Sequence, residues 1–192
     1  MIVEMYTDGA VSGNPGCGGF AAILIARDGQ TIVRQRVIYG YSRKATNNQM
    51  ELMAAVAGLE TLKKRTALTI YTDSEYLQRG ITQWLPGWMQ KNWRTASGQP
   101  VKNQDLWKRL LSLRSQHNVD WQWVKGHADN PYNELADKWA VLAKTYIRDG
   151  HIWCQWCGDV MAEINTPCRG CSRLGATTDP DVSFWGEWEA EA

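Results

Sequence analysis

An α/β fold, with a mixed five-stranded sheet and helices on both faces, follows from three features of this 192-residue sequence. Three strand-forming runs come first, with only short turn signals between them, as antiparallel neighbours require. From Thr46 onward, apolar residues at helical spacing alternate with short apolar strands, the order in which helical crossovers feed strands into a sheet. Clusters of Gly, Pro, Asn and Asp mark the boundaries.

Residues 2–7 are rich in strand formers and run into Asp8-Gly9. Residues 8–19 hold five glycines and Pro15, which predicts a tight loop. Residues 20–26 and 31–39 read as strands joined at Asp28-Gly29, a dipeptide that accepts the positive φ of a two-residue hairpin turn. Thr46 with Gln49 three residues later fits a capping box, and Met50, Met53, Val56 and Ala57 recur at helical spacing to about Lys64. Residues 68–72 form a further strand that runs into Asp73, and a short helix follows to about Trp84. Residues 84–104, broken by Trp, Gly and Pro, are predicted irregular or partly helical. Residues 105–116 are helical by pattern, 119–124 alternate as a strand, and 126–131 form a loop. Residues 132–148 place Leu135, Trp139 and Leu142 on one helix face. Beyond Gly150 the periodicity stops, and no internal repeat is present.

The net charge of +1 hides an asymmetry. Residues 149–192 carry eight acids against two bases, a net charge of −6, and residues 1–148 carry 19 Lys and Arg against 12 Asp and Glu, a net charge of +7. A basic body points to a polyanionic partner. No apolar run approaches the roughly 20 residues of a membrane span, and no secretory signal precedes the first strand. A cytoplasmic protein with no membrane partner is therefore expected, with its five cysteines reduced or metal-bound rather than paired.

Asp8, Glu51, Asp73 and Asp137 are the carboxylates whose placement carries chemistry. Asp8 and Asp73 close strands, Glu51 lies in the first turns of a helix beside Met50 and Met53, and Asp137 lies between Leu135 and Trp139. Four carboxylates gathered at one sheet edge repel one another unless a cation is present. Mg²⁺ takes oxygen ligands and retains waters, and two such ions about 3.5–4 Å apart clamp a phosphodiester. From spacing alone, a solvated strand-end aspartate remains the commoner reading.

The local strings narrow this. The sequence reads Tyr6-Thr7-Asp8-Gly9, then Gly13-Asn14-Pro15-Gly16, Thr46-Asn47-Asn48-Gln49-Met50-Glu51-Leu52 and Tyr71-Thr72-Asp73-Ser74. Trp123-Val124-Lys125-Gly126-His127 and Asn133-Glu134-Leu135-Ala136-Asp137 complete the series. In this order and spacing, residues from about 2 to 146 closely resemble the type I ribonucleases H. The resemblance implies an RNase H-like fold over residues 1–148. It implies an endonuclease that cuts the RNA strand of RNA–DNA hybrids by a two-metal-ion mechanism, leaving 5′-phosphate and 3′-hydroxyl ends. By the same resemblance Asp8, Glu51, Asp73 and Asp137 hold two Mg²⁺, with Mn²⁺ as a substitute. His127 assists proton movement or product release, and Asn133 supports the site from the helix face it shares with Asp137.

The hybrid would be contacted by Asn14, Asn47 and Asn48, with Asn47 also suited to helix capping. Thr46 and Asn103, with Arg43 or Lys44, would form a phosphate pocket for the DNA strand. Trp84, Trp88 and Trp93, with Lys91, Arg94 and Lys102, resemble the family's basic protrusion. The basic run is thin here, because Met89-Gln90 precedes Lys91, and Glu75 stands where a glutamine is familiar. Two competing readings predict other sequences. A non-catalytic hybrid-binding scaffold predicts loss of a carboxylate, and an integrase or junction resolvase predicts a different carboxylate pattern.

Cys154-x-x-Cys157 and Cys168-x-x-Cys171, separated by ten residues, supply four thiolates for one tetrahedral, structural Zn²⁺. Disulfides, free thiols and an iron site with four sulfurs are the alternatives. A zinc-ribbon-like module is thus predicted over residues 149–175, and an acidic, flexible tail over 176–192. The tail has no Lys or Arg from 179 onward but carries Phe184, Trp185 and Trp188, which points to a protein partner for module or tail, or to disorder that limits nonspecific binding. The chain is expected to be a monomer, with Cys17 a small filler in the Gly-rich stretch.

Overall fold

In the computed structural model the described residues are 1–126 and 130–149, with backbone alone at 146–149, and the backbone of three short strands between 152 and 187. β1 (Ile2–Gly13), β2 (Gly16–Asp28) and β3 (Thr31–Ala45) form an antiparallel meander. β4 (Ala67–Thr72) lies parallel to β1, and β5 (Asn118–Trp123) parallel to β4. Parallel neighbours need crossovers, which α1 (Asn47–Glu60) and the helices between β4 and β5 provide.

The Gly-rich stretch is not a loop, contrary to the sequence expectation. β1 runs on through Gly13, and its pairing with β2 continues from Asp8↔Ala21 to Gly13↔Gly16. Only Asn14-Pro15, joined by a cis bond, turns the chain. Gly9, Gly18 and Gly19 serve close packing instead, while Gly13, at φ +79, and Gly16 flank the turn. A Cβ on Gly9 would lie 2.5 Å from the Glu51 amide nitrogen, one on Gly18 2.7 Å from Met50 Cγ, and one on Gly19 2.2 Å from the Ala140 carbonyl oxygen. The hairpin at Asp28-Gly29 is as expected, with Asp28↔Thr31 as its last pair and Gly29 at φ +57.

α1 starts with the expected capping box. The Thr46 hydroxyl accepts from the Gln49 amide, and the Gln49 side chain accepts from the Thr46 amide at 2.8 Å. The helix stops at Glu60, four residues short of the predicted end, where the Thr61 amide bonds back to Gly58 and Leu59. The short helix predicted after Asp73 is longer than expected. α2 (Glu75–Arg79) passes into a π-helical turn (Gly80–Trp84) and then α3 (Leu85–Gln90). The Leu85 amide bonds to the Gly80 carbonyl just ahead of Pro86, which has no N–H to continue an α ladder. A Cβ on Gly80 would lie 2.1 Å from the Trp107 ring, so this turn seats directly on α4 (Gln104–Gln116).

The sheet buries both faces, as period-two alternation in β1 and β2 allows. Met5, Phe20, Ala22 and Leu24 face a core shared with α1, Leu77, Ile81 and the α4 residues Leu106, Trp107 and Leu110. Tyr6, Ala21, Ile23 and Ile25 face Ala136, Trp139 and Ala140 of α5 (Pro131–Asp149).

A sixth strand joins the five expected. β6 (Ile152–Trp153) and β7 (Val160–Met161) form a separate antiparallel pair, and β8 (Val182–Glu187) lies parallel to β3 in the order β5-β4-β1-β2-β3-β8. Part of the segment read from sequence as a flexible tail is therefore strand. Val182, Phe184 and Trp185 are strand formers, and the β3 edge offers backbone groups to pair with. Cys154, Cys157, Cys168 and Cys171 lie outside the described residues.

Candidate active site

β1 and β4 pair with Thr7 opposite Thr72, so Asp8 and Asp73 leave the parallel ladder at the same level. α1 passes over Gly9 closely enough to bring Glu51 to this edge, and α5 brings Asp137 from the opposite face. The absence of a Cβ at Gly126 matters as well. One there would stand 2.7 Å from Asp73 Oδ2, so the chain that leads to His127 passes directly against that carboxylate. His127 itself lies outside the described residues.

Each of three carboxylates has its own hydrogen-bond donors. Asp8 Oδ1 accepts from the Gly9 amide at 2.7 Å. Glu51 Oε1 accepts from Asn47 Nδ2 at 2.8 Å, and its Oε2 accepts from the Ser74 hydroxyl. Asp73 Oδ2 accepts from Asn133 Nδ2 at 3.3 Å, while the Asp73 carbonyl accepts from Trp123 Nε1 at 3.0 Å. Ser74 closes the Tyr71-Thr72-Asp73-Ser74 string, and the sequence alone assigns it no role. Its hydroxyl also caps α2 by accepting from the Leu77 amide at 3.1 Å. A serine ahead of a short helix signals a cap. Nothing in the sequence signals its contact with a residue 23 positions away.

Burial at this edge raises the affinity of Asp8 and Glu51 for protons. Burial pushes Asp8 up to about 8, aided by the charges of Asp73, Asp137 and Glu51 and opposed by the Gly9 amide. Burial also pushes Glu51 up to about 7, with Asp73 adding to the shift and the Ser74 and Asn47 hydrogen bonds opposing it. A cation between these groups would reverse both effects. Among the described residues no three His, Cys, Asp or Glu side chains stand close enough to hold an ion as they are, and Asp8, Glu51 and Asp73 are each engaged by hydrogen-bond donors of the protein. The donor set fits a hard ion that keeps part of its water shell. Asn133 is 3% exposed, and its Oδ1 is an orphaned acceptor beside Asp73, suited to a water held at such an ion.

The residues expected to contact a hybrid separate into three groups. Asn14 Oδ1 accepts from the Asn47 amide at 3.3 Å, which ties the hairpin tip to the start of α1, with Asn48 exposed alongside. Thr46 is occupied by its cap, donating to Gln49 Oε1 at 3.2 Å as well as accepting. Arg43 and Lys44 are exposed in a bulge, because Gly18 pairs with Ser42 but Gly16 with Ala45. The extra residue on β3 is pushed out of the ladder. Ser42 Oγ fixes the bulge by donating to the Lys44 carbonyl and accepting from its amide. Asn103 is tied elsewhere, with Nδ2 on the Tyr76 hydroxyl at 3.3 Å.

Trp84 and Trp88 stand 5.7 Å apart, centroid to centroid, and Trp88 packs on buried Trp107 at 5.4 Å. Trp84 is the exposed member, and Lys91 is exposed beyond α3. Glu75 is turned along its helix and pairs with Arg79 at 3.0 Å.

Comparison with known proteins gives a family match. The RNase H family model matches residues 1–145. A ribonuclease H of Dinoroseobacter shibae is 53% identical over 132 residues, 69% of this chain and 84% of that protein. One from Granulibacter bethesdensis is 50% identical over 143 residues, 74% of this chain and 92% of that protein. The crystal structure of LC9-RNase H1, a type 1 RNase H with the type 2 active-site motif, is similar with a TM-score of 0.68 at 32% identity. That match covers 75% of this chain and 72% of the other.

Proposed function

This chain belongs to the ribonuclease H family, whose activity is hydrolysis of RNA in RNA–DNA hybrids, and from that premise we propose how its own residues carry the activity. The observation that carries the proposal is geometric: paired β1 and β4 deliver Asp8 and Asp73 side by side, α1 brings Glu51 to Ser74 beside them, and α5 brings Asn133 to Asp73 and Asp137 with it. Asp8, Glu51, Asp73 and Asp137 would hold Mg²⁺, the ion this family generally uses, as a pair that Mn²⁺ can replace. When bound, these ions neutralise the phosphate and favour ionisation of the attacking water.

The protein's part is placement. Asn47 and Ser74 fix both oxygens of Glu51, and Asn133 fixes Asp73 while offering its spare Oδ1 to a water or hydroxyl. His127 assists either by donating a proton to the departing 3′ oxygen or by promoting product release, and the ends left are 5′-phosphate and 3′-hydroxyl. Asn14, Asn47 and Asn48 meet the hybrid's minor groove, where 2′-hydroxyls distinguish RNA from DNA. Thr46, Asn103 and Arg43 or Lys44 receive DNA-strand phosphates. Trp84, Trp88 and Lys91 give a weaker outer grip, through ring faces and one cation.

The test is Asp8→Asn and Asp73→Asn, assayed with Mg²⁺ on labelled RNA–DNA hybrid. Cleavage should be lost while hybrid affinity is largely kept. Near-normal turnover would overturn the assignment.

Cys154, Cys157, Cys168 and Cys171 are proposed as a closed structural Zn²⁺ site. The antiparallel pairing of β6 with β7 supports this, since Cys154 and Cys157 fall between those strands and a lone two-stranded hairpin needs a further staple. Zinc analysis should find about one ion per chain, lost in Cys154→Ser. A cytoplasmic location belongs to the same proposal; no helix among the described residues is long and apolar enough to cross a membrane.

A further inference from the structure

β4 and β5 end together. Their last pair is Thr72↔Trp123, and the Val124 amide still reaches the Thr72 carbonyl at 3.0 Å. One residue further along, the Asp73 carbonyl is held by a side chain instead, since Trp123 Nε1 donates to it at 3.0 Å from 50 positions away. Alternation places Val119, Trp121 and Trp123 on one face of β5. Trp121 belongs to the core, whereas Trp123 leaves 47% of its surface exposed. Burial thus accounts for the first indole far better than for the second. The peptide that Trp123 grips joins Asp73 to Ser74, and two carboxylates depend on it. The Asp73 carboxylate lies between Asn133 Nδ2 and the backbone of Gly126. Ser74 donates its amide to Thr72 Oγ1 at 3.2 Å and its hydroxyl to Glu51. A rotation of this peptide would move both carboxylates.

We propose that Trp123 is a positioning residue of the site: its indole N–H locks the Asp73–Ser74 peptide and thereby sets Asp73 directly, and Glu51 through Ser74, for a shared divalent ion. The inference rests on the metal-dependent, hybrid-cleaving reading above. A ligand is only as well placed as the groups that orient it, and the backbone of Asp73 needs such an orienting group as much as its carboxylate does. Trp123 acts through Asp73 and does not itself meet the reacting phosphate. Loss of its donor therefore falls on kcat and on ion affinity, and leaves the grip on the hybrid in place.

The experiment compares the full-length chain with Trp123→Phe, which keeps a ring and removes the donor, and with Trp121→Phe as a control. Trp121 Nε1 is buried without a hydrogen-bond partner, so its loss breaks no such bond. Trp123→Phe should lower kcat about tenfold, with KM for the hybrid changed by less than about twofold. Titration calorimetry of the protein without nucleic acid should show Mn²⁺ affinity falling about tenfold in the same variant. Trp121→Phe should lower the melting temperature through lost core packing, and leave kcat and Mn²⁺ affinity within about twofold. The proposal needs both losses in Trp123→Phe. A raised KM with kcat intact would make Trp123 a substrate contact. A loss of kcat with Mn²⁺ affinity intact, no loss of either, or equal losses in the two variants would also overturn the positioning role. The calorimetry separates the two readings. If the parent chain cleaves no hybrid and Mn²⁺ affinity still falls in Trp123→Phe alone, the nuclease reading fails and the positioning stands.

Discussion

Ser74 meets two demands with one hydroxyl, accepting from the Leu77 amide and donating to Glu51. Removing it should cost about 1 kcal/mol of stability through the lost cap, and Glu51 would also lose its fixed orientation. Ser74→Ala should therefore lower kcat about tenfold, as loss of one orienting hydrogen bond does, with little change in KM. Ser74→Thr should restore most of it. A lowered melting temperature with kcat intact would leave Ser74 as a cap alone. Asp8 and Glu51 predict the acid–base behaviour of the metal-free protein. Both hold protons to about 8 and about 7 in the fold, whereas an unfolded chain releases them near pH 4. The folded state binds the extra protons in that interval, so stability contributed by these groups is present at acidic pH and is lost as pH rises through 7 to 8. Denaturant midpoints taken in chelator should fall between pH 6 and 8, and Asp8→Asn should flatten the slope. A midpoint that rises over this interval equally in both proteins would contradict the assignment.

Glycine explains both what the sequence disclosed about the elements and what it hid. Asp28-Gly29 reads as a turn because it is one, and the capping box at Thr46 reads as a helix start because both partners are local. The density of glycine between residues 8 and 19 signals turning equally well, yet here it records how near α1 and α5 come to the sheet. That demand is tertiary, and no local pattern carries it. The π-helical turn and β8 were hidden for the same reason, since one depends on Trp107 and the other on an open edge of β3. The four carboxylates were readable because each sits in a distinctive string, whereas the engagement of Asn103 by Tyr76 depends on α2 and α4 meeting. Gly19→Ala tests the packing account. Its methyl would meet the Ala140 carbonyl oxygen at 2.2 Å and the Lys144 amide nitrogen at 2.4 Å, forcing α5 and Asp137 away from the sheet. A loss of about 1–3 kcal/mol or more is expected, together with reduced cleavage. Gly87→Ala is the control, because nothing lies within 4 Å of its added methyl. It should be neutral or stabilise by up to about 1 kcal/mol. Equal melting temperatures for the two variants would refute the close-packing role.

The whole molecule divides its charge between a basic body and an acidic C-terminal part, and among the described residues β8 of the acidic part pairs with β3 of the body. The carboxylate edge is built from residues 8–137, and the family match ends at residue 145. Truncation after Arg148 should accordingly keep hybrid cleavage while zinc content falls from about one per chain to none. A truncated chain that folds yet cannot cut in any metal would contradict this division. Truncation has a second outcome that the catalytic residues do not foretell. β8 closes one margin of the sheet at Val37–Tyr41, a stretch without a charged residue between Arg36 and Arg43. Once β8 is gone, those amides and carbonyls form a ready template for another chain's strand. The shortened enzyme should then self-associate at high concentration, seen as a rise in light-scattering mass that the full-length chain does not show. In that outcome β8 would be a built-in guard of the sheet, occupying a margin along which copies of the enzyme would otherwise stack.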